Sequence, residues 1–357
     1  MAFVSDSEAF GGAEAYLAVL ATALGEQCTF TAWISDRAAN ETEDRLGRAG
    51  VVVRRVEGLR RSPTCAGTWR LARALVASDP ALIHVNATDQ RDAISALVAA
   101  RLARRITLAT VHLVLPSGAH WRERTARASL ALPHARIAVS EAVADHLHKI
   151  GLTADVVHNG LPVPVADPAA RARLGLSDEA FVVGAIARLA DHKGLDLLCL
   201  AAADIRARVP HAEVVIVGEG PDRHALERLA AGHVRLVGSW TGAASLLPAF
   251  DVLAAPSRFE GLPLVPIEAM LSGVPVVGTR VSGIEEVLGD AGVLVAPESP
   301  SALADALVAL ARDPARRKQV AAAGRRRAET RFGVDRMAAE TLAIYDRLLA
   351  GRFDLQR

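Results

Sequence analysis

Two carboxylates, Glu260 and Glu268, bracket the stretch Phe259-Glu260-Gly261-Leu262-Pro263-Leu264-Val265-Pro266-Ile267-Glu268. The apolar run Asp251–Ala255 precedes it and stops at Pro256, which reads as a buried strand. Gly261 and Pro263 fit a tight loop. Pro266 is tolerated in the first turn of a helix, where its missing N–H costs nothing, and Gly273 is placed to end that helix. Glu260 is therefore expected on the loop before the helix, and Glu268 a turn or more inside it. The unpaired N–H groups of such a helix start attract phosphate. A carboxylate beside them can hold the vicinal hydroxyls of a ribose. Taken alone, two glutamates near a helix start are also explained as solvated side chains favoured by the helix dipole.

Two cations occupy a comparable place earlier in the chain. Phe181–Ala187 reads as a buried strand, Arg188 and Lys193 lie on the turn after it, and a helix begins at Leu195. Arginine can grip phosphate oxygens through two N–H groups, and lysine adds a point charge. The bland reading is a pair of surface cations flanking a turn. The strand Ala212–Val217 is followed by Gly218-Glu219-Gly220-Pro221, in itself a weak glycine motif. Near the N-terminus, a strand over Ala2–Ser5 runs into Gly11-Gly12-Ala13-Glu14 and a helix over Ala15–Leu24. That is either a phosphate cradle or an ordinary strand–helix turn. His112 directly follows an apolar run, Ile106–Val111, which puts it at a strand's carboxyl end.

The elements that must position these residues alternate. Thr29–Ile34, Val51–Val56, Leu82–Asn86, Ile106–Val111, Ile137–Ser140 and Val156–His158 are short apolar runs, with helical stretches at Thr68–Ala77, Asp92–Leu102, Trp121–Leu130 and Glu141–Ile150. Alternating strands and helices predict parallel sheets covered on both faces, with ligands beyond the carboxyl ends of the strands. His158-Asn159-Gly160-Leu161-Pro162-Val163-Pro164 has little periodicity and reads as a linker. The second half repeats the alternation through Val234–Val237 and Gly292–Val295 and closes with helices over Ser301–Ala311, Pro314–Arg327 and Asp335–Leu349.

A chain of 357 residues exceeds what one core usually serves, so two domains are expected. Forty-one basic and 40 acidic residues leave a net charge of +1, which gives no general field for nucleic acid or a membrane. Arg54, Arg55, Arg60 and Arg61 form one local basic cluster, and Arg122, Arg124 and Arg127 beside Trp121 another. Each reads as a solvated face; a functional role would suit a phosphorylated or lipid-linked acceptor. Three scattered cysteines, Cys28, Cys65 and Cys199, show no metal spacing and suit reduced thiols in a cytosol. The start Met-Ala-Phe-Val-Ser-Asp has no charged n-region or long apolar run, so no signal peptide is expected. No apolar stretch is long enough to span a bilayer, and a peripheral membrane contact is not favoured.

The segment from Glu260 to Glu268, continued by Gly273-Val274-Pro275-Val276-Val277-Gly278 and Val281-Ser282-Gly283-Ile284-Glu285-Glu286-Val287, resembles the E-x7-E signature of retaining glycosyltransferases of family 4, which have the two-domain GT-B fold. Ala187-Arg188-Leu189 with Lys193-Gly194 resembles the family's Gly-Arg-Leu…Lys-Gly motif, with Ala187 in place of the glycine. Thr110-Val111-His112 resembles its Thr-x-His, though Leu113 stands where an aspartate is common. His158-Asn159-Gly160 resembles its Pro-Asn-Gly segment, with His158 for the proline, and Gly-Gly-Ala-Glu its first loop.

The resemblance implies an α/β protein of two Rossmann-like, doubly wound parallel-sheet domains facing a cleft. Residues 1–164 would bind the acceptor, 165–334 the nucleotide sugar, and a final helix, 335–357, would return to pack on the first domain. Arg188 and Lys193 would meet the diphosphate, Gly11 and Gly12 would lie near it and the acceptor, and Gly218 would lie close to the nucleotide. The main chain at Leu236 and Val237 would meet the base. Glu268 would hold the ribose. Glu260 and the Gly261–Leu262–Pro263 loop would fix the sugar, and His112 would approach the sugar or the acceptor hydroxyl.

The function so implied is transfer of a hexose-type sugar, with retention, from a nucleotide-diphosphate sugar to a hydroxyl of a small soluble acceptor. UDP is the first expectation for the nucleotide. No Asp-x-Asp occurs, so no metal clamp on the diphosphate is expected; the resemblance implies front-face attack, with the leaving phosphate taking the proton. Two other readings stay open: a nucleotide-sugar epimerase of the same shape, and a catalytically silent nucleotide-sugar-binding partner protein.

Overall fold

Strands buried on both faces alternate with helices along the chain, and the computed structural model describes residues 1–60, 64–89, 93–113 and 120–354. The chain divides into two compact units. One comprises Met1–Gly160 with Gly333–Arg357, and the other comprises Leu161–Phe332.

In the first unit the strands are β1 (Ala2–Ser5), β2 (Thr31–Ser35), β3 (Val52–Val56), β4 (Leu82–Ala87), β5 (Ile106–Val111), β6 (Ala135–Ala138) and β7 (Asp155–Val156). Helices α1 (Gly12–Leu24), α2 (Asn40–Arg48), α3 (Cys65–Ser78), α4 (Ile94–Leu102), α5 (His120–Leu130) and α6 (Glu141–Lys149) connect them. The sheet is parallel, in the order β3-β2-β1-β4-β5-β6-β7. Every residue of β1 and β4 is buried, as central strands covered by helices require. The edge strand β3, Val-Val-Arg-Arg-Val, keeps its exposed residues toward solvent. Thr64 caps α3 by accepting from Gly67 N–H, and Ser140 caps α6 by accepting from Val143 N–H.

The second unit has β8 (Phe181–Ile186), β9 (Ala212–Val217), β10 (Val234–Gly238), β11 (Val252–Ala255), β12 (Val276–Thr279) and β13 (Val293–Val295). Its helices are α7 (Ala170–Arg173), α8 (Leu195–Arg208), α9 (Arg223–Ala230), α10 (Leu264–Leu271), α11 (Ser282–Leu288), α12 (Pro300–Arg312) and α13 (Pro314–Arg331). The order is β10-β9-β8-β11-β12-β13, again parallel. Gly184 in β8 has no side chain because a Cβ there would lie 2.1 Å from the Phe250 ring.

The last helix, α14 (Val334–Asp354), belongs to the first unit. Met337, Ala338, Ile344 and Tyr345 are buried in one core with Phe3, Tyr16, Leu17 and Leu20. Both sheets are doubly wound, and each reverses strand order once, between β1 and β4 and between β8 and β11. Beyond the carboxyl ends of the strands at such a reversal, neighbouring loops diverge and leave a crevice.

Candidate active site

In the second unit the loops after β8 and β11 meet at the reversal point. Lys193 closes a single 3-10 turn, with its N–H donating to Ala190 C=O at 2.9 Å. Gly194 follows at φ 60°, and a Cβ there would fall 2.1 Å from the Pro256 carbonyl oxygen. Glycine thus lets the backbone before α8 press onto the end of the β11 strand. Arg258 fastens the two loops from the other side. Its guanidinium makes two 2.8 Å bonds to the Asp196 carboxylate and a 2.7 Å bond to Asp191 C=O, while its backbone N–H donates to His192 C=O. Asp196 holds the Arg258 charge well above its ordinary pKa, and Arg258 in turn holds the Asp196 carboxyl below the usual carboxylate range. The His192 ring stacks on Phe259, and burial, with the neighbouring Lys193 cation, keeps it below the usual histidine range.

Within that frame Lys193 Nζ donates to Glu260 Oε1 at 2.6 Å, and Ser257 Oγ donates to the same oxygen at 2.8 Å. The carboxylate is largely enclosed, with 10% of the side chain exposed, and Lys193 shows 23%. Ser257 is itself held by Thr279 at the end of β12, whose hydroxyl donates to Ser257 C=O. Arg188, by contrast, is exposed, and no ion pair or hydrogen bond of its side chain is seen among the described residues. Gly261, Leu262 and Pro263 are buried, and α10 begins directly after them. Pro266 falls in its first turn and Glu268 lies partly buried on its body; Gly273, at φ 73°, follows the helix end. A Cβ at Gly283 would collide with the Glu260 and Gly261 carbonyls, which ties the start of α11 to the Glu260 loop.

The loop after β9 joins the same edge. Gly218 N–H donates to Gly238 C=O at 2.8 Å, and Leu189 N–H to Glu219 C=O at 2.9 Å. At Gly218 and Gly220 a Cβ would lie 1.9 Å from the Ala187 oxygen and 2.2 Å from the Leu189 oxygen. Leu236 and Val237 sit in β10 at a register irregularity, both partly buried.

The first unit places His112 directly after β5, 8% exposed. Its Nε2 lies 2.8 Å from Asn86 Oδ1, and its ring packs edge-on against Tyr16 with centroids 4.9 Å apart. Asn86 Nδ2 donates to Ala13 C=O, at the start of α1, at 3.1 Å. Gly11 and Gly12 open that helix and are exposed. Beneath His112, His84 Nδ1 lies 2.6 Å from the Tyr345 hydroxyl of α14, and its Nε2 lies 2.7 Å from Thr110 Oγ1. Burial pushes His84 and His112 down to about 3, and pushes Tyr16 up to about 12.

Asn86 and Ser257 were not singled out in the sequence. Each is a polar residue at the carboxyl end of a strand beside a reversal point, and that position was the available signal. Of the basic clusters, Arg55 is taken up by Glu43 and Arg60 by Asp36, both within the first unit. Arg61 and the side chains of Trp121 and Arg122 lie outside the described residues. Among the described residues no three His, Cys, Asp or Glu side chains cluster to hold a metal, and no helix is long and apolar enough to cross a membrane.

Two family models match the chain: Glycosyltransferase Family 4 over residues 10–163 and Glycosyl transferases group 1 over residues 180–313. The chain belongs to the family 4 glycosyltransferases. A GDP-mannose-dependent alpha-(1-6)-phosphatidylinositol monomannoside mannosyltransferase of Mycolicibacterium smegmatis is 38% identical over 181 residues, covering 44% of this chain and 47% of that protein. A D-inositol 3-phosphate glycosyltransferase of Salinispora tropica is 35% identical over 199 residues, covering 51% and 41%. The chain thus spans about half the length of the curated relatives it matches. Anabaena HepE, solved in complex with UDP-glucose, superposes with a TM-score of 0.84 at 23% identity over 96% of this chain and 98% of that one. A likeness at that level defines the fold, which is GT-B.

Proposed function

We propose that this chain is a retaining glycosyltransferase that moves a hexose-type sugar from a nucleotide-diphosphate sugar to the hydroxyl of a small acceptor, without a metal. The observation that carries this reading is the Lys193–Glu260 pair at the strand reversal of the second sheet, with exposed Arg188 on the same loop as Lys193. In this reading Lys193 and Arg188 neutralise the diphosphate as it leaves, and Glu268 takes the ribose hydroxyls. Glu260 and the main chain at Gly261–Leu262 orient the sugar, so that the acceptor hydroxyl enters on the face the diphosphate departs from and a phosphate oxygen takes its proton. Gly218 and the backbone of Leu236 and Val237 serve the nucleotide, Gly11 and Gly12 border the diphosphate, and His112 serves the sugar. Residues 1–164 would then act on the acceptor and 165–334 on the donor.

UDP is the first candidate, supported by the UDP complexes of the fold neighbours. A GDP-sugar is the second, supported by the names of several relatives. A small soluble acceptor is in keeping with the near-neutral charge and with the inositol-phosphate relatives; lipid-linked acceptors are named for others. Thermal-shift measurement against UDP, GDP and their sugars tests the reading. A ligand at a hundred times its Kd stabilises the folded state by about 2.7 kcal/mol. If none of them raises Tm, the reading fails. Once an acceptor is found, the anomeric configuration of the product by NMR tests retention, and unchanged turnover in EDTA tests metal independence.

A further inference from the structure

The hydrogen bonds around Asn86 leave no choice of proton placement on His112. The Ala13 carbonyl oxygen can only accept, so the side-chain atom of Asn86 that faces it at 3.1 Å is the NH2 group. The other atom, Oδ1, then faces His112 Nε2 at 2.8 Å. A carbonyl oxygen cannot donate, so Nε2 carries the hydrogen. A neutral imidazole has one N–H, and Nδ1 is therefore left with its lone pair. No partner of Nδ1 is seen among the described residues. The arrangement is rigid. Asn86 is fully buried at the end of β4, Ala13 is buried in the first turn of α1, and the His112 backbone N–H is tied to Ala87 C=O at 3.1 Å. The Tyr16 ring stands edge-on to the imidazole and limits its rotation.

We propose that Asn86 is a positioning residue: it locks His112 as the Nε2–H tautomer, so that Nδ1 is presented as an acceptor for a substrate hydroxyl and not as a donor to an anionic oxygen. The substrate group met there is a neutral sugar or polyol hydroxyl. A carboxylate or phosphate oxygen would face a lone pair with no proton between. This rests on the sugar-site reading of His112 given above, while the tautomer itself does not.

The test is a long-range 1H–15N correlation spectrum of 15N-histidine-labelled full-length protein, with the His112 ring assigned through its loss in His112→Gln. The expected wild-type pattern is a proton on Nε2 and a bare Nδ1. Added UDP-glucose (or GDP-mannose, should GDP be the diphosphate that binds) shifts the Nδ1 resonance while keeping the tautomer, and UDP or GDP alone does not. In Asn86→Asp the carboxylate has no proton for Ala13 and accepts from the ring, which favours imidazolium. Nδ1 then gains a proton and the nucleotide sugar binds about five- to tenfold more weakly, as one lost hydrogen bond predicts, with the affinity for the nucleoside diphosphate unchanged. A wild-type spectrum with the proton on Nδ1 overturns the proposal even if Asn86→Asp fails to fold, and so does an Nδ1 resonance that the sugar nucleotide leaves unmoved although it binds. If neither nucleotide nor sugar nucleotide binds at all, the functional reading fails and the tautomer is judged on the free protein alone.

Discussion

Lys193 Nζ donates to Glu260 Oε1 at 2.6 Å and so joins the loop after β8 to the loop after β11 across the reversal of the second sheet. Ser257 gives the same oxygen its second bond. Lys193→Ala therefore leaves a mostly enclosed carboxylate with one neutral donor, and is expected to lower stability by about 1–2 kcal/mol. Glu260→Gln keeps an oxygen for Ser257 and loses less. Denaturant unfolding of Lys193→Ala, Glu260→Ala and the double variant Lys193→Ala/Glu260→Ala should give a coupling energy of about 1 kcal/mol. Turnover should fall roughly a hundredfold or more in each. A Lys193→Ala protein with unchanged stability and turnover would refute the pairing and its role together.

Arg188 and Glu268 are expected to act on different parts of the ligand. Arg188 is exposed, so Arg188→Ala should leave the Tm of the free protein within about a degree while weakening both UDP and inorganic pyrophosphate roughly tenfold. Glu268→Ala should weaken UDP by a similar factor and leave pyrophosphate untouched, because only the nucleotide has a ribose. Calorimetric titration with the two ligands separates these outcomes. Equal losses for UDP and pyrophosphate in Glu268→Ala would remove it from the ribose.

The strands of the two parallel sheets were largely legible, because strands buried on both faces leave unbroken apolar runs such as Phe181–Ile186, and so was the final helix; the order of strands within each sheet was not. Helix α2 was not. Its sequence, Asn-Glu-Thr-Glu-Asp-Arg-Leu-Gly-Arg, buries only Thr42 and Leu46, one turn apart, so no apolar stripe announces it. Ser257 and Asn86 were equally silent. Each gains its meaning from a residue on another strand or loop, Glu260 in one case and His112 in the other. The acidic partners of Arg55 and Arg60 in the first arginine cluster were silent for the same reason. Asp36 and Glu43, which absorb Arg60 and Arg55, approach them only once β2 and β3 pair.

Two glycines with similar backbone angles make opposite predictions. Gly194 has φ 60° and its added Cβ would meet the Pro256 oxygen at 2.1 Å; Gly242 has φ 70° and open space around it. Gly242→Ala should cost only the left-handed backbone term, about 1 kcal/mol. Gly194→Ala must also push the β8 and β11 loops apart, so a loss of about 3 kcal/mol or more is expected, with Lys193 carried away from Glu260 and UDP binding lost. Comparable Tm losses in the two variants would show that the loops do not press together at this point.

The buried histidines make stability depend on acid. His84 and His112 are both held neutral in the folded state, at about 3, against an ordinary value of 6.5. The unfolded chain therefore binds protons that the folded chain refuses once pH falls below 6.5. The contribution is nil above about pH 7, and stability is lost progressively from pH 6.5 down toward 3. At pH 5 each histidine should cost about 2 kcal/mol relative to pH 7. His84 has both ring nitrogens bonded, to Tyr345 on α14 and Thr110 on β5, so the loss should appear as release of the last helix from the first unit. Tyr345→Phe, which removes one of those partners, should lower stability by about 1–2 kcal/mol at pH 7. The double variant His84→Gln/His112→Gln should be less stable at pH 7 but flatter between pH 7 and 5. Chemical unfolding across that range decides it: an acid slope as steep in the double variant as in the wild type would place the titrating groups elsewhere.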